Sequence, residues 1–284
     1  MDEHSIFLSP QTMDAVLMAT SCVVSALKEI YNKSVLNALC LVRPPGHHSE
    51  KERACGFCFF NHVAIAASVA TKQLGFRRVL VLDWDVHFGN GIQHVFEESD
   101  QVLYISIHRW DQGRFYPQSP DGSPHAFGRG QGFGYTINIG WNGTGPFGDD
   151  AYMAAMNAIV LPAAEAFVPD LVIVAAGFDA AKGDTLGNCQ VTPVGFARML
   201  QKLTPLAGGR ILMVLEGGYQ LQTLTTSMLV CTKVLLGDPI DTSSQTKYEV
   251  SAEAKEAIAT TIQTHSVLNN EFSKKWTAFY RKKT

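Results

Sequence analysis

The sequence predicts an α/β domain built on a mainly parallel sheet. Short apolar runs alternate along the chain with longer segments of helical periodicity, as in repeated βα units. Several of these runs are apolar on both faces, as strands buried inside a parallel sheet must be. Polar residues follow directly after four of the runs, which is where ligands bind in open α/β sheets. The chain has 284 residues, of which 46 % are hydrophobic and 17 % charged, so it can enclose one large core.

The predicted elements come in regular alternation. The strands are residues 36–42, 79–86, 102–108, 135–140, 171–178 and 211–215. The helices are residues 12–30, 61–74, 150–167, 193–207 and 224–236, with one or two more over 252–280. Residues 238–247 are polar and predict a loop. We therefore expect one domain over residues 1–284, in which 241–284 form a C-terminal helical appendage.

Charge and composition exclude several classes of protein. The net charge of −3 offers no basic face, so we expect neither nucleic acid nor an anionic membrane as a partner. The longest apolar runs are too short to span a bilayer, and the first ten residues lack the regions of a signal peptide. Six cysteines are too few for a disulfide scaffold in a chain of this size. The composition predicts a cytoplasmic or nuclear protein.

The segment DWDVH ends the second predicted strand and suggests a metal site. On an extended strand alternate side chains share a face, so Asp83, Asp85 and His87 point the same way. Buried carboxylates are costly unless a cation compensates them, and Asp179 ends another predicted strand. Asp85, His87 and Asp179 together match a three-ligand catalytic zinc site with open positions. The alternative is a solvated strand end capped by an aspartate.

Two adjacent histidines follow the first predicted strand. His47 and His48 come after two prolines and a glycine, without the helical spacing of a metal motif. We favour proton transfer, with the imidazoles tuned by Asp83 and Asn90. The alternative is one surface and one core histidine. Tyr219 follows two glycines, so its hydroxyl can turn toward a developing oxyanion.

Two further motifs carry less weight. Cys55 and Cys58 have the CxxC spacing, but without a second pair they do not favour a structural zinc or redox site. The glycine-rich run at 128–134 leads into a predicted strand and not into a helix. It therefore predicts a loop and not a dinucleotide site.

The segments RPPGHH, GFCFFN, DWDVHFGNG, ISIH, GFDAAKGD and LEGGY together closely resemble the zinc-dependent histone deacetylase family, in an order that covers residues 36–239. Asparagine at position 90 resembles class II. GRFYP, GRGQGFGYTINI and LLGDP are most similar to class IIb, the branch that contains the tubulin deacetylase. The resemblance implies the arginase/deacetylase fold, a three-layer α/β/α sandwich with a mainly parallel sheet.

The resemblance also implies a role for each site residue. It places zinc on Asp85, His87 and Asp179, and it makes His47 and His48 the base and acid, oriented by Asp83 and Asn90. Tyr219 would polarise the acetyl-lysine carbonyl together with the metal. Structural potassium would be held by Asp83, Asp85, His87 and Ser106. The acyl-lysine stem would lie along Gly56, Phe57 and Tyr116, with Leu186 at the rim.

Three departures from the family pattern stand out. Phe88 replaces a histidine that usually follows the metal-binding one, and strand alternation predicts that it points away from the metal. Tyr116 replaces the commoner Phe or Trp. The family's domain normally begins before the residues that match 5–9, which predicts an N-terminally incomplete domain. We expect its uncovered sheet edge to reduce stability and to attract a partner protein.

The leading hypothesis is the hydrolysis of N6-acetyl-lysine in proteins such as histone tails, tubulin or other cytoplasmic proteins. An acetylpolyamine deacetylase of this family uses a glutamate where the GDTLG loop has Leu186, so the apolar side chain disfavours a cationic polyamine. An arginase-like hydrolase needs further bridging carboxylates, which the sequence lacks. A deacetylase-like binding module without turnover is the non-enzymatic alternative.

Overall fold

A wholly parallel sheet of six strands forms the centre of the protein, in the order β1-β6-β5-β2-β3-β4. The computed structural model describes residues 5–240 and 249–281. The strands are β1 (Asn37–Cys40), β2 (Val79–Asp83), β3 (Val102–Arg109), β4 (Thr136–Trp141), β5 (Leu171–Ala176) and β6 (Ile211–Leu215). All six predicted strands are therefore present, and the predicted parallel α/β fold is confirmed.

Helices cover both faces of this sheet. They are α1 (Thr12–Tyr31), α2 (His62–Lys72), α3 (Asn90–Phe96), α4 (Asp149–Ala155), α5 (Leu161–Phe167), α6 (Pro193–Leu203), α7 (Leu221–Leu236), α8 (Ala252–Ser266) and α9 (Glu271–Arg281). A π-helical turn, Met156–Val160, joins α4 to α5, so the single helix predicted over 150–167 is interrupted. Helix α3 was not predicted, because its seven residues are too few to show a helical period.

Alternation along the strands divides the interior into two apolar cores. In β2, Leu80 and Leu82 belong to one core, while Val79 and Val81 belong to the other. The first core is shared with α4 to α9, and the second with α1 to α3. Two helical layers therefore enclose the sheet, as the three-layer prediction requires.

The C-terminal helices pack on the same core as the sheet. The Thr261 hydroxyl donates to the Asn138 carbonyl of β4 at 2.9 Å, and Trp276 is fully buried. Residues 241–247 of the predicted loop lie outside the described residues. Within the described part of the chain, β1 pairs with β6 alone and is an edge strand. A partner for that edge stays a prediction.

None of the helices in the described ranges 5–240 and 249–281 is both long enough and apolar enough to cross a bilayer.

Candidate active site

The strand order brings the predicted site segments together. Strands β1, β6, β5 and β2 are neighbours and parallel, so the loops that leave their carboxyl ends meet at one edge of the sheet. Strands β2 and β5 were predicted too long at their carboxyl ends: β2 ends at Asp83 and not at residue 86, and β5 ends at Ala176 and not at residue 178. Asp85, His87 and Asp179 therefore lie in loops. Trp84 and Val86 nevertheless remain in the core, which leaves the intervening Asp85 directed to the opposite side.

Asp85, His87 and Asp179 converge on one point, as predicted. The His87 Nδ1 atom lies 3.0 Å from Asp85 Oδ1 and 3.0 Å from Asp179 Oδ2. All three side chains are buried, and their ligand atoms lie within 4.8 Å of one another. One ring nitrogen carries at most one proton and cannot satisfy two carboxylates in this way. Two carboxylates and one imidazole are a donor set that fits a divalent cation.

Backbone amides hold the carboxylates in place. The Asp179 Oδ1 atom accepts from the Val86 N–H at 2.8 Å, and Asp85 Oδ2 accepts from the Gly217 N–H at 2.9 Å. A Cβ atom on Gly177 would overlap the Asp85 carboxylate, and one on Gly217 would overlap both carboxylates. Glycine is required at these two positions, because the backbone passes directly against the cluster.

The charges of the cluster are strongly perturbed. Burial and the neighbouring Asp85 raise the pKa of Asp179 to about 6. Burial also opposes the ionisation of Asp85, but His47 and His87 outweigh it and hold the Asp85 pKa well below its usual range. Burial opposes the charge of His87, whereas Asp179 and Asp85 raise its pKa to about 10. Two buried carboxylates thus make the electrostatic potential at this point strongly negative, which favours a bound cation.

The histidine pair has the partners that the sequence predicts. The His47 Nδ1 atom lies 3.1 Å from Asp83 Oδ2, and His48 Nδ1 lies 2.8 Å from Asn90 Oδ1. Both rings are buried, with centroids 4.0 Å apart. Burial opposes a charge on His47, but Asp85 and Asp83 raise its pKa well above the usual value. Burial and the charge of His47 lower the pKa of His48.

Three supporting residues had no predicted role. Glu216 Oε2 accepts from the backbone N–H of Gly46 at 2.6 Å and from that of His47 at 3.0 Å, which holds the turn before the histidine pair. Tyr104 donates to Asp83 Oδ2 at 3.1 Å. Asp184 Oδ2 accepts from the Tyr219 N–H at 2.7 Å. Glu216 directly follows a predicted strand, and that position could have indicated a role in the site. Nothing in the sequence distinguishes Tyr104 from other residues of its strand.

The predicted channel residues lie around His48 and Tyr219. Gly56 has φ +53°, and a Cβ atom there would overlap the His48 ring. The Tyr116 ring lies 5.1 Å from that of His48, and the Phe57 ring lies 6.1 Å from that of Tyr219. Leu186 is 46 % exposed. Aromatic side chains therefore lie beside His48 and Tyr219, and Leu186 faces solvent. A role of these residues in substrate binding stays a prediction.

Ser106 and Phe88 complete the predicted set. Ser106 is the register partner of Asp83, and its hydroxyl lies 2.8 Å from His108 Nδ1. Potassium binding by these residues stays a prediction. Phe88 is buried and packs 5.2 Å from the His108 ring. Phe88 joins the core of Val79 and not that of Trp84, because β2 ends at Asp83 and strict alternation does not continue beyond it. That Phe88 points away from the metal stays a prediction.

Comparison with known proteins decides the family. The histone deacetylase domain model matches residues 1–235. The chain belongs to the histone deacetylase family. This histone deacetylase domain is 47 % identical over 235 residues to the human protein named Polyamine deacetylase HDAC10. The match covers 83 % of this chain and 35 % of the human protein. It is 40 % identical over 280 residues to Histone deacetylase HDA1 of Saccharomyces cerevisiae. That match covers 98 % of this chain and 38 % of HDA1.

A solved structure shares the fold of this histone deacetylase domain. The crystal structure of the HDA15 HD domain matches with a TM-score of 0.86 and 41 % identity, and it covers 95 % of this chain and 73 % of that one. The chain spans about a third of the length of the curated relatives it matches.

Proposed function

We propose that the chain catalyses the zinc-dependent hydrolysis of the acetyl amide of N6-acetyl-lysine in proteins. The observation that carries the proposal is the convergence of Asp85, His87 and Asp179 beside the paired rings of His47 and His48. Membership of the histone deacetylase family supports it. We place the chain in class II, nearest to class IIb, with histone tails, tubulin or other cytoplasmic proteins as the substrates. The cytoplasm and the nucleus are the compartments we propose.

Zinc is the metal that we assign to the cluster. Asp85, His87 and Asp179 would hold it, and the two carboxylates would balance its charge. Bound there, zinc supplies Lewis-acid activation of a water molecule and of the amide carbonyl. We assign structural potassium to Asp83 and Ser106, together with Asp85 and His87, on the support of the paired positions of Asp83 and Ser106 in β2 and β3.

The protein's own groups then manage the protons. Asp85 and Asp83 outweigh burial and raise the pKa of His47, whereas burial and the charge of His47 lower the pKa of His48, so the pair can contain one protonated and one neutral ring. One ring accepts the proton of the attacking water, and the other donates a proton to the leaving lysine amine. Tyr219 donates a hydrogen bond to the oxygen that becomes an oxyanion. Its side chain is 42 % exposed, but partial desolvation together with the carboxylates of Asp179 and Asp85 raises the pKa of the phenol and keeps it protonated.

Acetylated polyamine is the second candidate substrate. The similarity to the human protein named as a polyamine deacetylase favours it. Against it, the exposed Leu186 offers an apolar rim and gives an ammonium group no partner. We therefore propose the peptide substrate as the preferred one.

Release of acetate from an acetyl-lysine peptide tests the proposal. The protein is stripped with a chelator and assayed before and after one equivalent of zinc is restored, with an acetylated polyamine as the second substrate. We expect zinc-dependent release from the peptide and slower release from the polyamine. Zinc-loaded protein that hydrolyses neither substrate would refute the enzyme and favour the binding module.

A further inference from the structure

We propose that Glu50 is a positioning residue that fixes the Asn90 side-chain amide and, through it, the tautomer of His48. The inference rests on the proposed deacetylase function, because His48 belongs to the proton-transfer pair of that reaction. It starts from a chain of hydrogen bonds that runs outward from His48 through Asn90 and Glu50 to His94.

The two ends of the Asn90 amide face different kinds of partner. Its Oδ1 atom lies 2.8 Å from His48 Nδ1. Its Nδ2 atom lies 2.5 Å from Glu50 Oε1 and 3.2 Å from the His48 carbonyl oxygen. A carboxylate and a carbonyl oxygen can only accept hydrogen bonds. An amide turned end for end would place its own oxygen against both acceptors, so Glu50 holds the amide nitrogen on its side.

The orientation of the amide decides where His48 carries its proton. Because Asn90 Oδ1 only accepts, the facing His48 Nδ1 must be the protonated nitrogen. In the neutral ring Nε2 then keeps its lone pair and is free to exchange a proton with the reacting groups. Without Glu50 the amide can rotate and offer an N–H to Nδ1. That arrangement favours the opposite tautomer, in which Nε2 already holds its proton.

Glu50 is itself held in place from the other side. Its Oε1 atom also accepts from His94 Nδ1 at 2.9 Å, and His94 Nε2 lies 3.3 Å from Asp121 Oδ2. Asn90 and His94 are four residues apart on α3, so they present both donors on one face of that helix. Burial opposes the charge of Glu50, but the hydrogen bonds from His94 and Asn90 outweigh it and lower its pKa. Glu50 is therefore a carboxylate at neutral pH.

A neighbouring glutamate provides the matched control. Glu50 and Glu52 both line a cavity of about 590 Å³ beside α2, and Glu52 is exposed. Replacing Glu52 removes the same charge from the same cavity without touching Asn90. Any effect that requires only negative charge in this region will appear in both variants, whereas an effect on the amide will appear in the Glu50 variant alone.

Nitrogen NMR of the histidine rings tests the tautomer directly and does not depend on turnover. Zinc-loaded protein is labelled with ¹⁵N-histidine, and the His48 signals are identified by their loss in His48→Gln. We expect a protonated Nδ1 in the wild type and in Glu52→Ala, a mixture of tautomers in Glu50→Ala, and a smaller change in Glu50→Gln, which keeps an acceptor. A Glu50→Ala protein with the wild-type His48 signals would overturn the proposal, whatever the activity is.

A pair of substitutions makes the test independent of any single variant that folds poorly. Asn90→Asp sets a second carboxylate against Glu50, and we expect kcat to fall about tenfold or more. Adding Glu50→Gln supplies an amide donor to the new carboxylate and should restore about tenfold of that loss. Glu50→Ala should lower kcat about tenfold and change KM less than about twofold. A double variant whose kcat is no higher than that of Asn90→Asp would overturn the proposal. If the wild type is inactive but shows the expected NMR shifts, only the proposed deacetylase function is overturned.

Discussion

The carboxylate of Asp184 lies 2.7 Å from the backbone nitrogen of Tyr219 and accepts its hydrogen bond. The same carboxylate accepts from the Gln220 N–H at 3.2 Å and, through its other oxygen, from the Leu186 N–H at 2.9 Å. One buried aspartate thus joins the loop that bears the rim leucine to the glycine turn that bears the tyrosine. The freedom that two glycines give this turn is therefore restrained by Asp184.

Asp184→Asn should lower kcat about tenfold with little change in metal content. An asparagine oxygen can accept from one of the two loops, while its amide group faces N–H donors on the other, and such an unsatisfied contact costs ~1–3 kcal/mol. Steady-state kinetics on an acetyl-lysine peptide measure the effect. The loss should largely disappear when the same substitution is made in a Tyr219→Phe background. Fully additive losses would show that Asp184 does not act through Tyr219.

Tyr219→Phe should keep the bound metal and reduce kcat by roughly 10². The substitution removes one hydrogen-bond donor to the oxyanion and leaves the three ligand side chains unchanged. Zinc analysis and kcat are measured together, with Tyr31→Phe on the exposed face of α1 as the control. Loss of zinc in Tyr219→Phe would contradict the role assigned to the hydroxyl.

The sheet and the residues of the Asp85, His87 and Asp179 cluster could be predicted from the sequence alone. Apolar runs such as 171–178 predict buried parallel strands, and parallel strands bring their carboxyl ends to one edge. Asp85 points away from the core of Trp84 and Val86, as alternation along DWDVH predicts, even though β2 ends at Asp83. Strict alternation fails to give the core that Phe88 joins, because extended geometry does not continue through that loop.

Leu186→Glu should shift the substrate preference toward acetylated polyamines. A carboxylate at this exposed rim position gives the distant ammonium group a partner, and we expect the ratio of kcat/KM for peptide over polyamine to fall about tenfold or more. Leu229→Glu, at an exposed leucine of α7, is the control for added charge. Wild-type protein that prefers the polyamine would refute the assigned specificity.

Glu216 should make the stability of the protein depend on pH near neutrality. Burial raises its pKa from 4.5 to about 7. Folding therefore favours the protonated carboxyl, and the associated stability is present in full below the unfolded pKa and is lost as pH rises through about 7. The shift corresponds to roughly 3 kcal/mol in the free energy of unfolding.

Melting temperatures of wild type and Glu216→Gln at about pH 5 and about pH 8 measure this effect. The variant removes the titration and keeps an acceptor for the two backbone N–H groups, so it should gain stability relative to wild type as pH rises. Glu52→Gln, at an exposed position, should show no such trend. A difference between wild type and Glu216→Gln that is equal at both pH values would contradict the account of Glu216.

The supporting contacts could not be predicted, because they join residues distant in sequence. Glu216 binds the backbone at Gly46 and His47, and Tyr104 reaches Asp83 from the neighbouring strand. The sequence alone contains no period or spacing that pairs these residues. Glu50 is a similar case, since its partner Asn90 begins a helix too short to be recognised from its pattern.

The central claim is that Asp85, His87 and Asp179 hold one zinc ion on which hydrolysis depends. The most direct measurement is the zinc content of purified wild type and Asp179→Ala, each incubated with excess zinc and then desalted. We expect one zinc per wild-type chain, and for Asp179→Ala we expect loss of the metal together with loss of acetate release. Stoichiometric zinc retained by Asp179→Ala would contradict the central claim.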